Sequence, residues 1–145
     1  MAQASILIIE PDVTIAHLLA QVLEEDGYTV ACATSRDDAL ALLRAGGPDA
    51  FRVVLSYAFA DVEPAPYTWL DRLRAHTHAP IVTCTRYPAT LYADDQARGY
   101  ATVIEEPCDL REVLDAVAAL CSESAPAATH HPWQPCASRA GHHAE

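Results

Sequence analysis

Phe51-Arg52-Val53-Val54-Leu55-Ser56 is a short apolar run that closes on a small polar residue and leads into an irregular, acidic, proline-containing segment. A run that is apolar at nearly every position suits a strand buried on both faces, as strands of parallel sheets are. It reads as the central strand of an open α/β sheet, where ligands and reactive groups collect at the carboxyl ends of the strands. Ser56 then stands where chemistry is expected.

Outward from this strand, the chain alternates strand and helix signals five times. Ser5 to Ile9 is a first strand, and Asp12 caps a helix carrying Ile15, Leu18, Leu19, Val22 and Leu23 on one face. Gly27 ends that helix in the position of a left-handed residue. Tyr28 to Cys32 gives a second strand. Ser35-Arg36-Asp37-Asp38 opens a helix through Ala45 with Ala39, Leu42 and Leu43 inward, and Gly46-Gly47-Pro48 stops it. The third strand, Phe51 to Leu55, is followed by a loop with Pro64 and Pro66 and a helix bearing Trp69, Leu70 and Leu73. Ala79 to Cys84 is the fourth strand. Pro88 suits a first helical turn, giving a fourth helix to Ala97 that Gly99 closes. Ala101 to Ile104 is a fifth strand, less apolar and so nearer an edge. Asp109-Leu110-Arg111-Glu112 has the form of a capping box, and Leu110, Val113, Leu114, Val117, Ala118 and Cys121 make the apolar stripe of a fifth helix.

Alternating elements with short connections predict an α/β fold of three layers, αβα. Five repeats point to the flavodoxin-like (βα)5 arrangement with a parallel sheet in the order 2-1-3-4-5. The domain spans residues 1–121; residues 122–145 are rich in Ala, Pro, Ser and His, lack periodicity and are read as a disordered tail.

Composition narrows the function classes. With 145 residues, 51% of them hydrophobic, the chain is one domain's worth. A formal charge of -11 argues against nucleic acid and anionic membrane as direct partners. All nine basic residues are arginine. The N-terminus shows neither a signal peptide nor a transmembrane stretch, which places the expectation in the cytoplasm. Five cysteines at irregular spacing, with no C-x-x-C pair, make no disulfide framework. Cys32 and Cys84 fall in strand-like runs and read as small core residues.

Ser5-Ile6-Leu7-Ile8-Ile9-Glu10, the run from Pro48 to Ser56, Ala79-Pro80-Ile81-Val82-Thr83-Cys84-Thr85, and the segment from Gly99 to Pro107 together resemble the receiver domain of bacterial response regulators, the CheY-like superfamily. The resemblance covers residues 4 to 121. It implies an Asp after the third strand that accepts a phosphoryl group and an acidic pair after the first strand that holds Mg²⁺. It also implies a Thr or Ser after the fourth strand and, after the fifth, a neutralising Lys followed by a cis-proline. Such transfer leaves little covalent work to the protein, so charge neutralisation supplies most of the help.

Carried over residue by residue, the pocket is degenerate. Glu10 matches the first acid, but Pro11 replaces the second and Asp12 lies one residue further on. Ser56 falls on the acceptor position, where a neutral hydroxyl forms no acyl phosphate. Thr85 is retained, with Arg86 beside it. Glu106 replaces the lysine and would repel a phosphoryl group; no lysine elsewhere can substitute. Pro107 remains, so a cis Glu106-Pro107 bond is expected. Val103 stands where the family places a switch aromatic.

The resemblance with these departures implies an atypical pseudo-receiver: not an enzyme, without a cofactor, acting by phosphorylation-independent contacts with other signalling proteins. No output domain follows the fifth helix, so the expectation is a stand-alone module in a two-component setting. The expected surface is the fourth helix, fifth strand and fifth helix, with Tyr92, Asp95, Arg98, Tyr100 and Arg111 exposed for a partner or a homodimer. Competing readings remain. Ser56 as a nucleophile lacks a base, since His17 lies in the first helix and His76 and His78 precede the fourth strand. Glu10, Asp12, Asp61 and Glu106 are weak candidates for a divalent cation, and His130, His131, Cys136, His142 and His143 for a metal-binding tail. Arg52 or Arg86 could pair with Glu106. Modification of Ser56 or Tyr57 by a different kind of kinase stays open.

Overall fold

Apolar runs pair side by side into one sheet. The computed structural model describes residues 5–57, 66–86 and 100–122. Its strands are β1 (Ser5–Ile9), β2 (Thr29–Ala33), β3 (Val53–Tyr57), β4 (Ile81–Thr85) and β5 (Thr102–Glu105). They lie in the order β2-β1-β3-β4-β5, every neighbour parallel, which is the predicted topology. The helices are α1 (Val13–Glu25), α2 (Arg36–Gly46), α3 (Pro66–Arg74) and α4 (Leu110–Ser122), the last being the fifth helix of the sequence reading. The expected helix from Pro88 to Ala97, with Tyr92, Asp95 and Arg98, lies outside the described residues, as do Asp61 and the tail beyond Ser122.

Successive side chains of a strand point to opposite faces, so the sheet divides the interior in two. On one face Leu7, Ile9, Val54, Ile81 and Val103 are buried with residues of α2 and α3, including Leu43, Trp69 and Leu73. On the other, Ile6, Ile8, Leu55, Val82 and Ile104 are buried with α1 and α4. β3 and β4 are buried at every position, so the polar residues Ser56, Thr83 and Thr85 are enclosed along with their apolar neighbours.

Local chemistry ends the helices where the sequence predicts. The Asp12 carboxylate accepts from the Thr14 and Ile15 amides at 2.9 and 3.2 Å, and Ser35 Oγ accepts from the Asp38 amide at 3.0 Å. Asp109 accepts from the Glu112 amide at 3.2 Å at the start of α4. Gly27, at φ +99°, follows α1 in a conformation that other residues seldom adopt.

Four expectations need correction. The apolar stripe of α1 is two stripes: Ala16, Leu19 and Leu23 are buried, whereas Ile15 and Leu18 are 44% and 55% exposed. At 3.6 residues per turn, positions 15, 18 and 22 form a row about 100° round the helix from positions 16, 19 and 23. In α4 it is Ala116, not Ala118, that is buried, for the same reason. Tyr100 is not exposed for a partner; only 1% exposed, its ring joins the core cluster that contains Trp69, Leu73 and Val103. An aromatic ring next to an edge strand gains more by filling that layer than by facing water. Finally, Arg52 does not reach toward Glu106. It opens β3 at the other end of the sheet, where its guanidinium donates to the Cys121 carbonyl at 2.7 Å and so caps α4.

Candidate functional site

The parallel register brings the predicted pocket residues to one edge. Ile9 pairs with Ser56 and Ser56 with Thr83, so Glu10, Ser56 and Thr85 emerge together at the carboxyl ends of β1, β3 and β4. The Glu106 amide donates to the Thr85 carbonyl at 2.7 Å, which sets Glu106 beside Thr85. The Glu106-Pro107 peptide bond is cis, as predicted.

At this edge Ser56 is closed off. The third strand runs to Tyr57, so Ser56 is its penultimate residue and is 1% exposed. Trp69, also 1% exposed, donates its indole N–H to Ser56 Oγ at 3.1 Å. The hydroxyl thus serves as the acceptor for a core tryptophan. Tyr57 points to the opposite face and is 6% exposed. Neither hydroxyl is presented to a kinase.

The acidic side of the pocket is equally committed. Glu10 is 6% exposed, and its carboxylate accepts from the Asp12 amide at 2.9 Å. Pro11 adds no ligand, and the Asp12 carboxylate is engaged at the α1 N-terminus. Among the described residues no three His, Cys, Asp or Glu side chains gather as a metal site, and Asp61, weighed with Glu10, Asp12 and Glu106 for the acidic rim, lies outside them. His130, His131, His142 and His143 lie outside the described residues.

Burial pushes the Glu10 carboxyl above its ordinary value of 4.5; the Asp12 amide opposes the shift and the Asp12 charge adds to it. An acid with a raised value binds its proton more tightly in the fold than in the unfolded chain. Charged Glu10 therefore costs stability at neutral pH, and the cost is relieved as pH falls through the folded value toward 4.5. Glu10→Gln keeps an acceptor for the Asp12 amide and removes the charge. The wild-type urea midpoint, measured from about pH 8 down to about pH 5, is expected to gain on that of E10Q as pH falls. Parallel midpoints would show that Glu10 does not titrate differently in the fold.

Two residues near this edge carried no functional signal in the sequence. Trp69 read only as a core residue of its helix, because nothing local points its indole at Ser56. Cys108 sits two residues past Glu106, where the chain leaving β5 runs alongside the end of β4. It packs against the buried cluster that contains Cys84, and the two thiols shift each other's titration in opposite directions, Cys84 up and Cys108 down. The place of Cys84 near the end of β4 and of Cys108 just past the end of β5, its neighbour, was the available clue.

Solved structures share this architecture. A response regulator receiver domain protein from Clostridium thermocellum is 19% identical, with a TM-score of 0.68 over 81% of this chain and 94% of that one. A two-component response regulator from Clostridium difficile is 22% identical, with a TM-score of 0.66 over 81% and 95%. A structure of adenylate cyclase from Rhodopirellula baltica is 16% identical, with a TM-score of 0.70 over 83% and 88%. No protein-family model and no curated protein matches the chain. These likenesses concern the fold, and the chain, with its parallel sheet in the order β2-β1-β3-β4-β5, has the fold of the response regulator receiver domains.

Proposed function

We propose that this chain is an atypical receiver-fold module of bacterial signal transduction that works through protein–protein contacts without aspartyl phosphorylation. The observation that carries the reading is the Ser56 environment: a neutral hydroxyl at the acceptor position, buried and hydrogen-bonded to Trp69. Glu106 supports it, because a carboxylate beside Thr85 adds negative charge where a phosphoryl group would need neutralising. So does Pro11, which brings no side-chain oxygen for a metal.

The surface for partners, including a second copy of this chain, is the edge formed by β5 and α4. β5 is the last strand of the sheet, and Arg111 on α4 is exposed, 3.8 Å from Asp115 one turn on. Tyr100, being buried, plays no part in it. No helix among the described residues is long and apolar enough to cross a membrane.

An NMR titration of the full chain with Mg²⁺ and then beryllofluoride, a mimic of an aspartyl phosphate, tests the reading. Amide shifts at Glu10, Ser56, Thr85 and Glu106 are expected to stay unchanged. Saturable shifts concentrated on those residues would mean that the pocket still binds metal and phosphoryl analogue, and the proposal would fail.

A further inference from the structure

β4 and β5 end side by side: Cys84 pairs in register with Ile104, and the Glu106 amide bonds back to the Thr85 carbonyl at 2.7 Å. That return holds the segment after β5 against the end of β4. Cys108 lies on it, packed against the cluster that buries Cys84. The other cysteines of the described residues are engaged elsewhere. Cys32 donates its thiol to the Ala16 carbonyl at 3.7 Å, and Cys121 lies at the far end of α4, where its carbonyl accepts from Arg52.

We propose that Cys84 and Cys108 are a redox site of this protein, a dithiol that a hydroperoxide oxidises to an intramolecular disulfide across the ends of β4 and β5. The two sulfurs are unequal. Cys84 is fully buried and Cys108 is partly exposed, so the oxidant meets Cys108 first. The interaction with Cys84 favours the Cys108 thiolate and holds its value below the ordinary one, against its own burial and the charges of Glu112, Glu106 and Asp109. The same interaction, with burial, pushes the Cys84 thiol up. Cys108 is the attacking sulfur and Cys84 the resolving one.

The chemistry balances with the peroxide as oxidant. The Cys108 thiolate attacks one peroxide oxygen; the S–O bond forms, the O–O bond breaks, and the leaving hydroxide takes a proton to become water. Cys84 sulfur then attacks Cys108 sulfur. The S–S bond forms, the S–O bond breaks, and the departing hydroxide leaves as water with the Cys84 proton. Two thiols lose two electrons in total, and one peroxide becomes two waters. The disulfide would tie Thr85, next to Cys84, and Glu106, two residues before Cys108, into one fixed wall of the degenerate pocket and of the partner edge. Reversible disulfides of this kind are the form that redox sensing takes in reducing compartments.

The test uses the full chain. Reduced protein is treated with hydrogen peroxide, remaining thiols are alkylated, and unreduced peptides are mapped by mass spectrometry. The expected product is a Cys84–Cys108 linked peptide, lost on dithiothreitol treatment, with Cys32 and Cys121 still alkylated. In Cys84→Ser the expected product is a dimedone adduct on Cys108, since the sulfenic acid has no resolving partner. The proposal is overturned if all thiols stay free, if Cys108 goes on to sulfinic acid in the wild-type chain with Cys84 reduced, or if the linkage joins any other pair, Cys136 included. The wild-type map decides the matter even if the variant fails to fold.

Discussion

Trp69→Ala is expected to remove about 3–5 kcal/mol of folding stability, the range for emptying a buried tryptophan site. Set against a typical total of about 5–15 kcal/mol, that loss leaves the fold marginal. The ring is 1% exposed and belongs to the cluster that joins α2 and α3 to the sheet, so no solvent-side relaxation softens the cavity. Its indole N–H also serves Ser56, and a buried hydroxyl that loses its partner costs about 1–3 kcal/mol. Trp69→Phe and Ser56→Ala separate the two contributions. Each is expected to cost less than Trp69→Ala, and the double variant to cost less than the sum of the singles, because the hydrogen bond can be lost only once. Urea unfolding of the four proteins measures this. Strict additivity would mean that the Ser56–Trp69 contact contributes nothing, and a loss below about 1 kcal/mol for Trp69→Ala would place the ring outside the core.

Ser56→Asp, which restores the acceptor of a conventional receiver, is expected to destabilise this protein and not to make it phosphorylatable. The new carboxylate enters a site that is 1% exposed, beside the buried Glu10 and with one indole N–H as donor. An uncompensated charge in such a place costs about 3–5 kcal/mol. Burial and the Glu10 charge both favour the protonated form, so the deficit relative to wild type should narrow as pH falls. Incubation with acetyl phosphate and Mg²⁺ is expected to leave the intact mass unchanged, since Pro11 offers no metal ligand and Glu106 opposes the incoming charge. A phosphoryl adduct on Asp at position 56, or a stability equal to wild type at neutral pH, would show that the pocket is open and only its acceptor missing.

The sequence by itself determined a good deal. The strand order follows from five alternating repeats, and the sheet has that order. The caps at Asp12, Ser35 and Asp109 and the turn at Gly27 were legible because each depends on residues within four positions of one another, and the cis bond before Pro107 was expected from the family resemblance. So was the chemical identity of the pocket, once the strands were placed: which residue stands at each strand end is a matter of sequence alone.

The tertiary structure decided where side chains go between elements. The α1 stripe split because the sheet covers only one side of that helix, a choice that periodicity cannot make between two adjacent rows. Tyr100 turned inward for a related reason: an aromatic next to an edge strand reads equally well as surface or core until the neighbouring layer is known. Ser56 meets Trp69 across 13 residues and Arg52 meets Cys121 across 69. Cys108 reaches the cluster that buries Cys84 because β4 and β5 end together. Such contacts depend on sheet register and on how the helices pack across its two faces, and these are properties of the assembled layers, set by burying the whole apolar surface at once and not by any local pattern.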